Sequence, residues 1–182
     1  MLAVNDRDGA ILVIAGAGSG KTRVLTARIC ALVDAGVSPY HILAITFTNK
    51  AANEMKERIE RSLGTDGAGV WTSTFHSMCA RMLRMDADRL GYSKDFTIYT
   101  DLESERVVKR VCETVQGADA KRKGSYLNHI SNAKTAALSP SEYYEEIKDF
   151  SDDAKVISLV YAAYERELKE SNAMDFDDLL LK

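Results

Sequence analysis

The first half of the chain alternates short apolar runs with stretches of helical periodicity. Runs with the composition of buried strands lie at residues 11–14, 42–47 and 70–74. After each run, apolar residues recur at three- to four-residue spacing, and a glycine follows as a helix stop: Gly36, Gly64 and Gly91. The third stripe predicts that Met82 and Leu90 face inward. Because strands that alternate with helices pair in parallel, we predict an α/β fold with a partial parallel sheet for residues 1–91.

The second half is predicted to be almost entirely helical. Apolar stripes at helical spacing run through residues 102–115, 127–137 and 154–168. Ser139, Pro140 and Glu142 form a capping box that opens a short helix, and Asp175 is placed to cap a last one. We therefore predict a mainly α-helical subdomain over residues 92–172 and a return helix to the α/β domain over residues 173–182.

Composition and charge exclude several classes of protein. The 182 residues are 46% hydrophobic and 28% charged, a globular balance that excludes collagen, mucin-like stalks and wholesale disorder. The net charge of −3 argues against a globally basic nucleic-acid binder. It is unevenly distributed, however: residues 1–91 carry 11 basic and 9 acidic side chains, against 13 and 18 in the remainder. A local basic groove therefore remains possible.

Cysteine usage and hydropathy indicate the compartment. The three cysteines are far apart in the sequence and never form a C-x-x-C pair. This spacing argues against a disulfide framework and against a zinc site. No secretory signal and no apolar run of about 18 residues is visible, so we expect no membrane partner. These features predict a cytoplasmic protein.

The strongest chemical motif is AGAGSGKT at residues 15–22. It matches the phosphate-loop pattern with alanine in place of the first glycine, between a predicted strand and a predicted helix. Its glycines let backbone N–H groups face one point, where the helix N-terminus favours phosphate. We expect Lys21 to reach the β- and γ-phosphates of ATP and Thr22 to ligate Mg²⁺. The predicted nucleotide-binding residues are Ala17, Gly18, Ser19, Gly20, Lys21 and Thr22, with Lys21 and Thr22 also catalytic. The alternative is a glycine-rich turn with a solvated lysine.

Two further segments lie where the next predicted strands end. They are AITFTNKAANEM at residues 44–55 and STFHSM at residues 73–78. Each places hydroxyl groups, an aromatic ring and a basic or imidazole group at a strand-to-helix junction, a combination that suits single-stranded nucleic acid. Simpler roles are open for each residue: Phe47 and Phe75 as core, Thr48 and Thr74 as helix caps, and His76 as a junction residue.

In this order and spacing the three motifs resemble the UvrD/PcrA/Rep family of superfamily 1 DNA helicases. The similarity covers nearly the whole chain and ends at MDFDDL, residues 174–179. It implies a RecA-like P-loop motor that uses ATP and Mg²⁺, moves 3′ to 5′ on single-stranded DNA and separates the duplex at the junction between single- and double-stranded DNA. It places Arg23 near the nucleotide base and residues 92–172 in an insert directed toward the duplex. It also implies DNA contacts in segments that contain Thr46, Phe47, Asn49, Thr74 and His76.

The sequence lacks one motif that a P-loop hydrolase needs. An apolar strand followed by an acidic pair, which holds Mg²⁺ and activates water, is not found, and Asp101 is better assigned to a helix cap. The resemblance implies that this pair follows the FDDL stretch, and that only Ala3 and Val4 remain of an upstream glutamine motif. We therefore expect a fragment of one motor half, inactive alone and completed by a second RecA-like domain. The alternatives are a non-catalytic nucleotide- or DNA-binding module, or the motor part of a RecB-like recombination nuclease.

Overall fold

The computed structural model describes residues 2–6, 9–16 and 18–182, and this part of the chain is mostly helical. Its four short strands are β1 (Leu43–Thr46), β2 (Trp71–Thr74), β3 (Thr97–Ile98) and β4 (Ala173–Met174). Its helices are α1 (Leu2–Asn5), α2 (Lys21–Asp34), α3 (Asn49–Leu63), α4 (Phe75–Asp86), α5 (Asp101–Thr114), α6 (Lys123–Thr135), α7 (Pro140–Ile147), α8 (Ala154–Glu170) and α9 (Phe176–Leu181). The chain divides into two compact units, Met1–Met78 and Cys79–Lys182. The division into domains at residues 91 and 172 stays a prediction.

The first unit is built on a pair of parallel strands. β1 and β2 pair in parallel with Leu43 opposite Trp71 and Thr46 opposite Thr74, so both strands end at the same edge. α3 connects them and ends where predicted, with Gly64 as its C-cap. The apolar core of this unit combines residues from α2, β1, α3 and the approaches to the strands: Ile29, Ile42, Ala44, Met55, Ile59 and Val70. The predicted parallel α/β pattern is confirmed here.

The first predicted strand, at residues 11–14, is not a strand in the structure. Its residues have no regular secondary structure, and Leu12 and Ile14 are 84% and 88% exposed. A parallel strand is stable only where a neighbour takes up its backbone N–H and C=O groups and another layer covers its side chains. Among the described residues no strand pairs with this segment. The prediction is wrong in this chain because apolar composition alone does not supply a partner.

The third predicted stripe is also only partly buried. α4 ends at Asp86, and a 3₁₀ turn over Ala87–Leu90 follows it and ends at Gly91, which has φ +68°. Leu83 is buried, whereas Met82 and Leu90 are 48% and 37% exposed, contrary to prediction. The change from 3.6 to 3.0 residues per turn rotates Leu90 away from the buried face. Met82 lies beside Leu83 on α4 and therefore points to a different side of the helix.

The second unit is a bundle of helices with a larger core. Its main core contains 14 buried residues contributed chiefly by α5, α6 and α8, among them Tyr126, Val160 and Tyr164. Capping boxes at Thr100, Ser139 and Asp175 open α5, α7 and α9. The predicted caps at Ser139 and Asp175 are therefore confirmed. Asp101 is the first residue of α5. β3 and β4 form a two-residue parallel pair too short to be seen in the sequence.

Two observations concern the whole described chain. Cys30, Cys79 and Cys112 are all free. In the part of the chain that the structure describes, no helix is long and apolar enough to cross a membrane.

Candidate nucleotide site and nucleic-acid face

Two glycines shape the loop that precedes α2. Gly18 has φ +74°, and Gly20, the N-cap of α2, has φ +87°. An L-residue with a side chain is strained in this left-handed region, so glycine is the residue that permits the curl. The first α-helical hydrogen bond runs from the Val24 N–H to the Gly20 carbonyl at 3.0 Å. The N–H groups of the first turn of α2 therefore lack helical acceptors and point toward the loop.

The Lys21 side chain folds back over this loop. Its Nζ donates to the Ala15 carbonyl at 2.9 Å and to the Gly16 carbonyl at 2.7 Å. Ser19 Oγ donates to the same Gly16 carbonyl at 2.7 Å. A lysine ammonium has three donors, so two hold the side chain in place and one remains for an oxygen anion. The loop thus carries a positive charge at its mouth.

The remaining predicted nucleotide residues are Ala17, Thr22 and Arg23. Thr22 and Arg23 are exposed in the first turn of α2. Ala17 lies outside the described residues. The assignment of residues 17–23 to nucleotide binding stays a prediction, and the geometry of Gly18, Gly20 and Lys21 is compatible with it.

The end of the β1–β2 pair brings the two other motifs together. Thr46 and Thr74 are direct partners at the carboxyl ends of the strands, so the segments that follow them leave from one edge. Thr48 Oγ1 accepts from the Ala51 N–H at 3.2 Å and caps α3. Thr74 Oγ1 accepts from the Ser77 N–H at 3.3 Å at the start of α4. The expected capping roles are therefore present, and they fix where each segment turns into its helix.

Several predicted DNA contacts are exposed at this edge. Phe47 is 93% exposed, so it is not a core residue of this unit. Phe75 is 52% exposed, and Asn49 and His76 are exposed at the starts of α3 and α4. Thr74 is buried and Thr46 is half-buried, whereas the ring of Phe47 is freely accessible. A DNA-binding role for these five residues stays a prediction.

A buried ionic cluster in the second unit escaped the sequence analysis. Lys134 of α6 has a fully buried side chain, and its Nζ lies 2.8 Å from Asp175, 2.9 Å from Asp178 and 2.7 Å from Glu165. Lys182 Nζ lies 2.7 Å from Asp178 Oδ1. The Tyr164 hydroxyl donates to Asp175 Oδ2 at 2.9 Å. The cluster ties α6 and α8 to the FDDL stretch of α9.

Opposite charges set the ionisation of this cluster. Burial disfavours the charge of Lys134, but Asp178, Asp175 and Glu165 outweigh it and raise the pKa of Lys134. Burial likewise opposes the charge of Asp178, while Lys134 and Lys182 lower the pKa of that carboxyl group overall. The burial of Lys134 could have been predicted from its spacing. Lys134 follows Ile130 by four residues and therefore falls on the buried stripe of α6.

Comparison with known proteins identifies the family. The sequence model of the UvrD/REP helicase N-terminal domain matches residues 2–182. This match covers the phosphate loop, the paired strand ends and the FDDL stretch together. The chain therefore belongs to the UvrD/REP helicase N-terminal domain family, which confirms the resemblance and the α/β fold class inferred from the motifs.

Two similar proteins are both DNA helicases of the same name. The chain is 47% identical over 182 residues to the ATP-dependent DNA helicase PcrA of Staphylococcus epidermidis, a match that covers 98% of this chain and 25% of that protein. It is 45% identical to the ATP-dependent DNA helicase PcrA of Staphylococcus aureus, with 98% and 24% covered. The chain thus spans about a quarter of the length of these relatives.

Proposed function

We propose that this chain is the N-terminal motor segment of an ATP-dependent DNA helicase that moves 3′ to 5′ on single-stranded DNA. The observation that carries the proposal is the loop before α2, where Gly18 and Gly20 hold positive φ and Lys21 lies across the mouth, in a chain of this family. The names of the PcrA relatives support ATP dependence and DNA as the substrate. The three unpaired cysteines fit a cytoplasmic protein.

The residues present fit a nucleotide with Mg²⁺. The N–H groups of the first turn of α2 and the Lys21 ammonium would hold phosphate oxygens, and the Thr22 hydroxyl would ligate the metal ion. When bound, Mg²⁺ neutralises phosphate charge and polarises the bond that is cleaved. Lys21 keeps its position through the Ala15 and Gly16 carbonyls, so its charge is in place before the phosphate arrives.

DNA would bind at the edge where β1 and β2 end. A base stacks on the exposed ring of Phe47, while the start of α3 at Asn49 and the start of α4 near His76 hold backbone phosphates. Residues 92–172 would then form the insert that faces the junction with duplex DNA. The second RecA-like domain and the remainder of the helicase chain would complete the motor. The carboxylate pair that activates water would come from that remainder.

Nucleotide binding by the 182-residue chain tests this proposal. Lys21→Ala should weaken Mg²⁺-dependent binding of a fluorescent ATP analogue about ten- to a hundredfold, because a hydrogen bond to a charged group is lost. Lys56→Ala is the matched control, since Lys56 is an exposed lysine of the same unit that pairs only weakly with Glu60 at 3.9 Å. Turnover of ATP by the wild-type chain should be negligible. Equal affinities for the two variants would refute the nucleotide site, and turnover at the rate of a complete helicase would refute the need for further residues.

A further inference from the structure

An arginine-lined pocket lies between α2 and α3, outside the segments assigned so far to DNA. Its volume is about 400 Å³. The polar side chains of its wall come from both helices: Arg23, Thr26 and Cys30 from α2, and Arg58, Arg61 and Ser62 from α3. We call this the arginine pocket. Three side chains that are always cationic therefore converge on one cavity.

The positive charge of the arginine pocket is poorly compensated. None of the described residues that line it is acidic. Within residues 2–6, 9–16 and 18–182, neither the Arg23 nor the Arg58 guanidinium group has a hydrogen-bond or ion-pair partner. Arg61 lies 3.4 Å from Glu57, but both side chains are largely exposed, at 74% and 68%. Exposed pairs of this kind contribute little, so an incoming anion competes easily for Arg61.

The donors of the pocket are its guanidinium groups. The Thr26 hydroxyl already donates to the Thr22 carbonyl at 3.0 Å, and the Ser62 hydroxyl donates to the Arg58 carbonyl at 3.0 Å. Arginine presents a planar fork of N–H groups that matches the oxygens of a phosphate, often through two parallel hydrogen bonds. The chemistry of the pocket therefore selects phosphoryl oxygens.

We propose that the arginine pocket binds phosphodiester groups of single-stranded DNA and extends the DNA face along α3; this rests on the proposed function. α3 begins at Asn49, within the segment assigned to DNA, and Arg58 lies nine residues further along the same helix. That separation is about 14 Å along the helix axis. A strand of several nucleotides that starts at Phe47 covers this distance, within the length that single-strand sites occupy.

The phosphates of a bound nucleotide are a second source of the same chemistry. Arg23 lies two residues after Lys21 in α2 and is itself one of the predicted nucleotide-binding residues, so the pocket shares this one arginine with the predicted nucleotide site. The two sources make different demands on α3. A DNA strand that follows α3 needs Arg58 and Arg61, whereas a nucleotide seated on the loop is held by Lys21 and the first turn of α2.

Charge-neutral variants of α3 separate these possibilities in the intact chain. Arg58→Gln and Arg61→Gln should each weaken binding of a fluorescent oligothymidylate about tenfold, since a charged hydrogen bond is lost. Each should also flatten the plot of log affinity against log salt by about 0.7, the contribution of one phosphate contact on a single strand. Lys56→Gln removes the same charge from the same helix outside the pocket and should leave the slope unchanged. Anisotropy titrations over a range of salt concentrations measure both quantities.

Cys30 reports on the pocket independently. In a Cys79→Ser background, Cys30 is the one cysteine that is not buried, because Cys112 is. The oligothymidylate should slow the reaction of Cys30 with a thiol reagent, and Arg58→Gln should remove this protection. Inorganic pyrophosphate is the second probe. Protection by pyrophosphate without protection by the oligonucleotide would overturn DNA as the ligand and assign the pocket to the nucleotide.

The remaining outcomes keep the two proposals apart. If the wild-type chain binds the oligonucleotide, but Arg58→Gln and Lys56→Gln bind equally well and Cys30 stays reactive, the arginine pocket is refuted and the DNA face is not. If the wild-type chain binds no oligonucleotide and pyrophosphate gives no protection, the DNA role and the pocket both fail. Lys21→Ala should leave protection by the oligonucleotide intact, because that lysine belongs to the loop.

Discussion

The two compact units differ in which side chains they expose and which they bury. The unit Met1–Met78 leaves Leu12, Ile14 and Phe47 more than four-fifths exposed and encloses a core of six residues. The unit Cys79–Lys182 has a main core of 14 residues and fully buries the charged side chain of Lys134. The first unit places its functional candidates on accessible segments, whereas the second buries a cluster of charged side chains around Lys134. Binding segments are commonly drawn from the less stable parts of a protein.

The comparison implies that single substitutions act differently in the two units. An exposed ring or loop lysine in the first unit makes few contacts, so its removal changes ligand binding more than folding. A buried charge in the second unit is matched by specific partners, so its removal leaves those partners uncompensated. Optical probes separate the units, because Trp71 is the chain's only tryptophan and lies in the first unit, while all but one of the eight tyrosines lie in the second.

The largest effect is expected for Lys134→Met. Loss of the ammonium leaves the carboxylates of Asp175 and Asp178 buried beside Glu165, with only Lys182 still paired to Asp178 and Glu165, which should lower the free energy of unfolding of the second unit by about 3–5 kcal/mol. Urea titration followed by the near-ultraviolet circular dichroism of the tyrosines measures this. The Trp71 fluorescence transition reports the first unit in the same samples.

Lys109→Met is the control for this measurement, since Lys109 is an exposed lysine of α5 in the same unit. It should change the tyrosine transition by less than about 0.5 kcal/mol. If Lys134→Met has no larger effect than Lys109→Met, the cluster does not stabilise the second unit and the contrast between the units fails.

Element types in both units were largely predictable, because local signals and tertiary structure agree. The stop at Gly64, the capping box at Ser139 and the cap at Asp175 are read from neighbouring residues, and the structure forms helices at each. These features depend on backbone hydrogen bonds within a few residues of the chain. The parallel β1–β2 pair was predictable from the alternation of strands and helices.

What could not be predicted depends on partners distant in sequence. The apolar run at residues 11–14 has the composition of a strand, but no strand pairs with it in the part of the chain that is described. Lys134 has its partners 31 to 44 residues away, and a lysine in a helical sequence is ordinarily expected at the surface. The arginine pocket likewise combines side chains of α2 and α3 that no local pattern connects. The motifs identified the loop and strand ends, whereas the surrounding electrostatics required the structure.

A smaller effect is expected when acid titrates the same cluster. The lowered pKa of Asp178 means that its contribution to stability is present above the pKa of an unfolded aspartate, about 3.9, and is lost as the pH falls through the folded value. The second unit of the wild-type chain should therefore lose stability below about pH 4. In Lys134→Met this loss should be shallower, because the main cation that lowers the pKa of Asp178 is gone.

The capping carboxylates provide an internal reference for this titration. Hydrogen bonds from Thr100 and Ser139 lower the pKa values of Glu103 and Glu142, and these bonds are untouched in the variant. The contribution of these two carboxylates to the loss of stability at acid pH should therefore be the same in both proteins. The tyrosine-detected urea midpoint at several pH values between about 2 and 5 measures the difference. Parallel slopes in the two proteins would show that Lys134 does not govern the ionisation of Asp178.

The smallest effect on folding is expected for Phe47→Ala. The ring is 93% exposed, so its removal should leave the Trp71-detected unfolding transition within about 0.5 kcal/mol of the wild type. Binding of an oligothymidylate should nevertheless weaken by about 1–3 kcal/mol, the contribution of a base stacked on an aromatic ring. Phe150→Ala is the matched control, because Phe150 is equally exposed, at 90%, but lies in the second unit between α7 and α8. A loss of stability with unchanged DNA affinity would assign Phe47 a structural role. A loss of DNA affinity alone would show that the accessible edge of β1 and β2 binds the strand, as the contrast between the two units requires.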